Sequence, residues 1–216
     1  GDVTIRNSSF RGNSANGDPA ANQGYGGAIY MTDNNGVELL IEGCDIDGNR
    51  ANGNGGGIWA SDDVTVKISG STVKNNSAKR AGGMWINEHT KDRGKVVYIE
   101  NTEITGNRAE LDCGGLLVDT YKKRTVTVRL KGKVVIDGNT AGSDNRADNT
   151  FLYSHEGMTS RFECTGDFDY DGSRIGMYSD ASPRGLVWGA REMGETFKCD
   201  KEDGRLSLDG TTITFS

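Results

Sequence analysis

A short block that recurs five times constrains the fold of this chain more than any other feature of the sequence. Each block begins with an aliphatic residue and ends with an asparagine, and the first one runs from Ile5 to Asn13. The asparagines lie 36, 27, 31 and 32 positions apart, at Asn13, Asn49, Asn76, Asn107 and Asn139. Such a period is typical of a solenoid, in which each repeat covers the hydrophobic face of the next.

A second block follows each asparagine and opens on a pair of glycines in four of the five repeats. These blocks are 26–31, 56–60, 82–86 and 114–118, with a degenerate fifth at 149–153. Apolar and polar residues alternate in both kinds of block as they do in strands, and Asn and Gly suit the corners because they tolerate left-handed backbone conformations. We also expect the equivalent asparagines to bond to one another along the coil axis. Residues 1–158 are therefore predicted to form about five coils of a parallel β-helix in an all-β chain. We expect a right-handed coil from the fold class and not from the sequence itself.

Residues 159–216 break the repeat but keep strand-like stretches, such as 161–164 and 174–178. A solenoid needs an atypical end unit that covers its last coil. We assign 159–216 as a β-rich C-terminal cap packed on the last coil. The sequence starts in a strand, without a comparable N-terminal cap or a leader, so we expect a further domain upstream.

Composition excludes several classes of protein. The 216 residues include 32 Gly without a three-residue period and only 2 Pro, which excludes collagen. No apolar run approaches the roughly 18 residues of a transmembrane helix, and a net charge of -6 argues against nucleic acid as the main partner. Four cysteines are too few for a disulfide scaffold. Cys164 and Cys199 are a candidate pair, whereas Cys44 and Cys113 are expected to stay free.

Two short segments carry a family resemblance. Gly26-Gly27-Ala28-Ile29 and Phe10-Arg11-Gly12-Asn13 resemble the repeats of bacterial surface β-helices, including polymorphic outer-membrane proteins and adhesin-like proteins. This resemblance covers about 1–153 and implies a secreted or cell-surface bacterial protein. The chain is also similar to β-helical carbohydrate-binding modules attached to xylan-degrading enzymes of gut bacteria. That similarity implies a polysaccharide ligand and neighbouring domains of a larger enzyme or surface protein.

Alternation sorts the Gly-Gly strands into inward and outward columns. The inward column reads Ile29, Ile58, Met84, Leu116 and Phe151. Polar residues fill a column that must face water, namely Thr32, Ser61, Asn87 and Asp119. Parity then turns the column of Tyr30, Trp59 and Trp85 outward, where the rings stack on consecutive coils. The rung spacing of about 4.8 Å is close to the rise of one sugar in an extended β-1,4-linked glycan.

An exposed aromatic strip usually marks a binding surface. We predict that sugar rings stack on Tyr30, Trp59 and Trp85. Polar partners for the sugar hydroxyls are expected from Ser61, Asn87, Asp33, Asp62, Glu88 and Asp119. Two alternatives stay open, because a bulge can turn the column inward and the Ser14–Tyr25 insertion or a partner domain can cover it.

The leading interpretation is a non-catalytic carbohydrate-binding module that recognises a plant-type β-glycan such as xylan. The first alternative is an adhesin-like bacterial surface module that binds protein. The second is a polysaccharide lyase, which needs a basic residue and a cation such as Ca²⁺ near the sugar. Its candidate bases are Lys91, Arg93, Lys122, Lys123 and Arg124, and candidate acids for a hydrolase include Asp62, Asp63, Glu88, Asp92, Asp45, Asp47 and Glu103.

No cofactor is expected. Oxygen-rich stretches at 33–36, 169–172 and 200–203 lack the twelve-residue Ca²⁺ loop and are interpreted as turns, with Ca²⁺ as the alternative. His89 and His155 lie two coils apart, too far to share a metal. Outward charges on the first strand predict ion pairs between Arg6 and Glu42 and between Glu100 and Lys131, with a further charged column at Arg11, Asp47 and Lys74.

Overall fold

The computed structural model confirms an all-β parallel β-helix. It describes residues 1–18, 20, 23–88, 95–120, 125–152, 159–178, 185–200 and 204–215, which form strands and turns and no α-helix. Hydrogen-bonded asparagines mark four complete turns between Asn13 and Asn139, slightly fewer than the coils predicted. The difference arises because five asparagines bound only four intervals.

The strands follow one another around the coil in a constant order. The first are β1 (Val3–Arg6), β2 (Ser9–Arg11), β3 (Ser14–Ala15), β4 (Ile29–Glu42), β5 (Asp45–Asp47), β6 (Arg50–Ala51), β7 (Ile58–Ser69) and β8 (Thr72–Lys74). Then come β9 (Ser77–Arg80), β10 (Met84–Glu88), β11 (Lys95–Thr105), β12 (Arg108–Asp112), β13 (Leu116–Thr120), β14 (Thr125–Asp137), β15 (Thr140–Ala141) and β16 (Arg146–Ala147). The last are β17 (Thr150–Leu152), β18 (Thr159–Phe168), β19 (Arg174–Met177), β20 (Gly185–Trp188), β21 (Phe197–Cys199), β22 (Leu206–Asp209) and β23 (Thr212–Phe215).

Equivalent strands of successive turns pair in parallel and form walls. The aromatic wall comprises 29–33, 58–62, 84–88, 116–120 and 150–152. The Tyr98 wall comprises 37–42, 64–69, 95–100, 125–131 and 159–164. The Arg50 wall comprises the short strands β3, β6, β9, β12 and β15.

Apolar columns fill the interior. Ile41, Ile68, Ile99 and Leu130 stack in register on the Tyr98 wall, and each is at most 1% exposed. Alanines face the interior from the Arg50 wall, at Ala51, Ala78, Ala109 and Ala141. The alternation of apolar and polar residues in the strands therefore identifies the core residues directly, because each rung repeats the environment of the previous one.

A buried ladder of asparagines runs through the coil, as predicted. The Oδ1 atom of Asn76 accepts hydrogen bonds from the backbone N–H of Asn49 at 2.8 Å and from its Nδ2 at 2.9 Å. The Nδ2 of Asn76 donates in turn to Asn107 and to the Ile46 carbonyl. Each internal amide is thus satisfied, which removes the cost of burying it.

Three corner columns hold residues with left-handed backbone conformations. Two consist of Asn and Gly alone: Asn7, Gly43, Gly70, Asn101 and Gly132, then Gly12, Gly48, Asn75, Gly106 and Gly138. The third precedes the Gly-Gly strands and contains Gly26, Gly55, Ala81 and Cys113. The expectation for the corners is confirmed, with Ala81 and Cys113 as exceptions that carry a Cβ in this strained region.

The segment assigned as a cap starts by continuing the stack. Strands β18 and β19 pair in parallel with β14, and β20 and β21 pair in parallel with β18 and β19. Within the described part of 159–216, antiparallel pairing begins where β23 meets β20 and β22. The hairpin of β22 and β23 is therefore the part of 159–216 that departs from the coil pattern.

Charge pairs decorate the outer surface. Arg6 pairs with Glu42, and Lys131 pairs with Glu100 at 3.0 Å, as predicted. The third column differs, because Arg11 and Lys74 both contact Asp45 rather than Asp47. A hydrogen bond from the Thr72 hydroxyl, followed by the contacts with Arg11 and Lys74, lowers the pKa of Asp45 to about 2.

Candidate functional site

The aromatic wall carries a column of large side chains that points away from the interior. Parallel pairing aligns Tyr30, Trp59, Trp85, Leu117 and Phe151. Their neighbours Ile58 and Ala60 belong to the interior core, whereas the column from Trp59 to Phe151 belongs to a second apolar cluster. The outward direction expected from parity is therefore found.

Phe151 lies one position away from its predicted column. It pairs with Leu117, and Thr150 pairs with Leu116 in the inward column. In this turn Asn149 takes the place of the second glycine, since the Asn149 carbonyl lies against Gly115. The fifth turn therefore adds an aromatic residue to the outward column.

Exposure differs sharply along this column. Tyr30 is 54% exposed, but Trp59 and Trp85 are only 9% and 8% exposed. The prediction of three accessible rings is thus wrong for both tryptophans. Trp59 is covered because Tyr25, at the end of the Ser14–Tyr25 insertion, stacks on it at 5.4 Å, and Tyr30 stacks on it at 4.7 Å with an interplanar angle of 3°.

Small corner residues allow the large side chains to lie against the wall. Ala81 and Cys113 belong to the same cluster as Trp59 and Trp85. At Gly55 a Cβ would lie 2.9 Å from the Cβ of Trp59. The small residues of the left-handed corner column thus provide the surface on which the aromatic rings pack. Their small size is a sequence signal for this packing, and strand alternation alone does not reveal it.

The polar column is only partly accessible. Thr32 is exposed and Asp119 is half-buried, but Ser61 and Asn87 are 3% and 4% exposed. The prediction that the whole column faces water is therefore wrong for Ser61 and Asn87. Short side chains on inner rungs lie between rungs about 4.8 Å away on each side, which leaves them little contact with solvent.

Lys95 links two neighbouring strands, β7 and β10, beside this column. Its Nζ donates to the carbonyl oxygens of Asp62 at 3.1 Å and Asn87 at 3.0 Å. The Nε1 of Trp85 and the Oδ1 of Asn87 are buried without a hydrogen-bond partner among the described residues. Because residues 85 and 87 project to the same side of β10, this side of the strand presents one donor and one acceptor.

The predicted acidic site residues Asp33 and Asp62 form hydrogen bonds within the protein. The carboxylate of Asp33 accepts a hydrogen bond from the backbone N–H of Asn35, in an Asx turn. Asp62 has a left-handed backbone and its Oδ2 accepts a hydrogen bond from the Thr32 hydroxyl at 2.6 Å. The backbone of Glu88 pairs with Thr120, and its side chain lies outside the described residues.

Several other candidates also lie outside the described residues. They are Asp92, Lys91, Arg93, Lys122, Lys123, Arg124, His89 and His155. Within the described ranges, no group of three or more His, Cys, Asp and Glu side chains is arranged to hold a metal ion. The turn at 169–172 is closed by a hydrogen bond from the Gly172 N–H to Asp169 Oδ1. The Ca²⁺ alternative stays a prediction.

The cysteines form no disulfide. Cys164 and Cys199 are not joined, and Cys44 and Cys113 are free thiols, as expected for the latter two. Burial raises the pKa of Cys113 well above its usual value and that of Cys164 to about 11. Both groups are therefore protonated, unreactive thiols at neutral pH.

Sequence reasoning missed a second aromatic feature, on the Tyr98 wall. The Tyr98 ring lies between the Lys67 ammonium, 5.5 Å from its centroid, and the Arg129 guanidinium at 5.9 Å. A hollow of about 530 Å³ adjoins it and is lined also by Glu38, Asp63 and Thr65. Both cations are paired, Lys67 with Glu38 and Arg129 with Glu163. The sequence does contain a signal for this feature. Lys67, Tyr98 and Arg129 directly precede Ile68, Ile99 and Leu130, which align on successive turns, so the three side chains must align as well.

A protein-family model matches two segments of the chain. Residues 7–32 and 43–61 match the Chlamydia polymorphic membrane protein repeat. The two segments stack directly on each other, with Phe10 beside Ile46 and Tyr30 beside Trp59. They cover less than half of the chain, and they indicate a repeat of the kind found in bacterial surface proteins.

No curated protein and no solved structure matches the chain. The part of the chain that the structure describes holds no helix with the length and hydrophobicity needed to cross a membrane.

Proposed function

We propose that this chain is a non-catalytic recognition module of a bacterial surface protein and that it binds polysaccharide along the aromatic wall. One observation carries the proposal: Tyr30, on the first described rung of the aromatic wall, is 54% exposed and its ring lies parallel to Trp59. Because Tyr25 also stacks on Trp59, the exposed ring rests on a fixed aromatic base. Such a ring suits the apolar C–H face of a pyranose at little entropic cost.

The ligand class that we propose is a β-glycan such as xylan, bound through one stacking contact rather than three. Thr32 projects from the same side of β4 as Tyr30 and is exposed. Its hydroxyl and the Asp62 carboxylate that it contacts are polar groups for the sugar hydroxyls. They replace Ser61 and Asn87 in this role, because those two side chains are buried.

Three of the described acids do not meet the requirements for a general acid, which supports a module without catalysis. A general acid needs a raised pKa and access to the substrate. Burial raises the pKa of Asp148 to about 6, but its side chain is fully buried. Asp45 has a pKa lowered to about 2, and Glu103 is paired with Lys133 at 3.2 Å.

Titration of the wild type and Tyr30→Ala against soluble xylan and mixed-linkage glucan tests this proposal. We expect saturable binding by the wild type and a loss of at least about ten-fold in Tyr30→Ala. Leu111→Ala is the matched control, because Leu111 is 45% exposed on the Arg50 wall, away from the proposed site. Equal affinity in Tyr30→Ala and wild type would exclude Tyr30 as the stacking residue.

The family match favours a second candidate function, adhesin-like binding of protein. The matched segments include Tyr30 and Trp59, so the same wall serves both candidates. Binding of the labelled module to mammalian cells separates them, with one set of cells treated with protease and another with glycosidase. Loss of binding after protease alone supports a protein ligand, and loss after glycosidase alone supports a glycan.

A further inference from the structure

Three exposed cations of the coil stack have no carboxylate partner among the residues that the structure describes. They are Arg50, Lys79 and Arg108. The other exposed or half-buried lysines and arginines that the structure describes up to residue 152 each pair with a carboxylate. The buried Lys95 donates to two backbone carbonyls. All three cations lie on the Arg50 wall.

Parallel register places the three side chains around Ser77. Arg50 and Arg108 both pair with Ser77, one rung to either side of it. Their backbones are thus separated by two rungs, or about 9.6 Å. Lys79 projects from the same side of β9 as Ser77, two residues further on.

The neighbouring groups leave the charge of this patch positive. The Nε of Arg108 donates to Asn145 Oδ1 at 2.8 Å, and its other contact is the Gly142 carbonyl at 3.4 Å. Both acceptors are neutral. Asp112 already pairs with Arg80. Glu110, also exposed on β12, is the remaining carboxylate on these strands, so three positive groups face one negative group.

We propose that the Arg50 wall is a binding site for an anionic polysaccharide that carries a carboxylate or sulfate on every second sugar. Arg50 and Arg108 would each hold one acidic group, since guanidinium binds planar oxyanions through paired hydrogen bonds. Their two-rung spacing matches the disaccharide period of an extended β-linked glycan. This site lies on a different wall from Tyr30 and does not depend on the proposed function.

Charge density favours a polysaccharide over nucleic acid. Duplex DNA carries one negative charge per about 1.7 Å, far denser than one arginine per two rungs. The chain also has a net charge of -6, which repels a dense polyanion. A glycan with sparse acidic groups gains the local contacts without the same long-range repulsion.

Calorimetric titration with hyaluronan, a β-linked glycan with a carboxylate on every second sugar, tests the proposal. We expect Arg50→Gln/Arg108→Gln to bind at least about ten-fold more weakly than wild type, and Lys79→Gln to bind several-fold more weakly. The matched control is Lys131→Gln/Lys133→Gln, which removes the same charge from paired lysines elsewhere. It should stay within about two-fold of wild type.

Three further arms make the result decisive. Neutral xylan should show no dependence on Arg50 and Arg108, and Tyr30→Ala should keep its hyaluronan affinity. Absence of hyaluronan binding by the wild type, or equal losses in the two double variants, would overturn the proposal. Poly-glutamate or single-stranded DNA binding as tightly as hyaluronan, with the same loss in Arg50→Gln/Arg108→Gln, would overturn the assignment to a polysaccharide.

Discussion

The carboxylate of Asp200 receives the last hydrogen bonds of the asparagine ladder, from the backbone N–H of Asn149 at 2.7 Å and from its Nδ2 at 2.9 Å. Asn149 in turn accepts both bonds from Asn139. A residue from the C-terminal segment thus completes a chain of amides that begins at Asn13. The end of the coil stack is therefore fixed by the same contacts that hold its turns together.

Asn107→Ala should destabilise the protein by about 3 kcal/mol. The change leaves the backbone N–H and the Nδ2 of Asn76 without their acceptor. Both groups are buried, so water cannot replace the lost bonds. Urea unfolding followed by circular dichroism measures the loss. Asn13→Ala is the control, since Asn13 is exposed at the start of the ladder and should cost less than about 1 kcal/mol.

Trp59→Ala should lower the free energy of unfolding by about 3–5 kcal/mol, whereas Tyr30→Ala should lower it by less than about 1 kcal/mol. Trp59 is buried and stacks with both Tyr25 and Tyr30, but Tyr30 is more than half exposed. Thermal and urea unfolding of both variants tests this contrast. Similar stabilities for the two variants would show that the rings do not form the stack described.

Asp148→Asn should stabilise the protein at pH 7 by about 2 kcal/mol. Burial raises the folded-state pKa of Asp148 to about 6, above its unfolded value. The unfolded state therefore ionises first as pH rises, and the wild type loses stability between about pH 4 and 6. Above that window the penalty is constant.

Unfolding curves from pH 4 to 8 test this pH dependence. The difference in stability between Asp148→Asn and the wild type should grow up to about pH 6 and then level off. Asp144→Asn is the control, because Asp144 contacts the same Arg146 but is 68% exposed. A difference that is independent of pH would contradict the account of Asp148.

Gly82→Ala should prevent formation of the native coil or destabilise it severely. A Cβ at Gly82 would lie 2.5 Å from the backbone oxygen of Arg108, and the adjacent turn cannot move away without breaking its own pairing. Expression and circular dichroism report the outcome. Gly166→Ala should be neutral, since a Cβ there meets nothing within 4 Å.

The sequence predicts the fold well because every turn repeats the same environment. Columns such as Ile41, Ile68 and Ile99, the asparagine ladder and the Arg6–Glu42 pair all follow from aligning one repeat on the next. Local alternation and a constant period contain this information.

The site was harder to predict, because contacts there join residues that occupy different places in the repeat. Tyr25 covers Trp59 from an insertion that other turns lack. Arg11 and Lys74 contact Asp45 and not Asp47, because side-chain length and direction decide the pairing and strand register does not. Phe151 is predicted one column off because the fifth block lacks the glycine pair that aligns the others, and Asn149 lies at the position of Gly115. None of these choices is visible in a pattern of apolar and polar residues.

The most direct test of the central claim is to measure binding and product formation in the same mixtures of wild-type protein with xylan, mixed-linkage glucan and polygalacturonate, with and without Ca²⁺. The account predicts saturable binding of at least one glycan with no new reducing ends and no unsaturated products. Accumulation of either product, or the absence of binding to every glycan, would contradict a non-catalytic polysaccharide-recognition module.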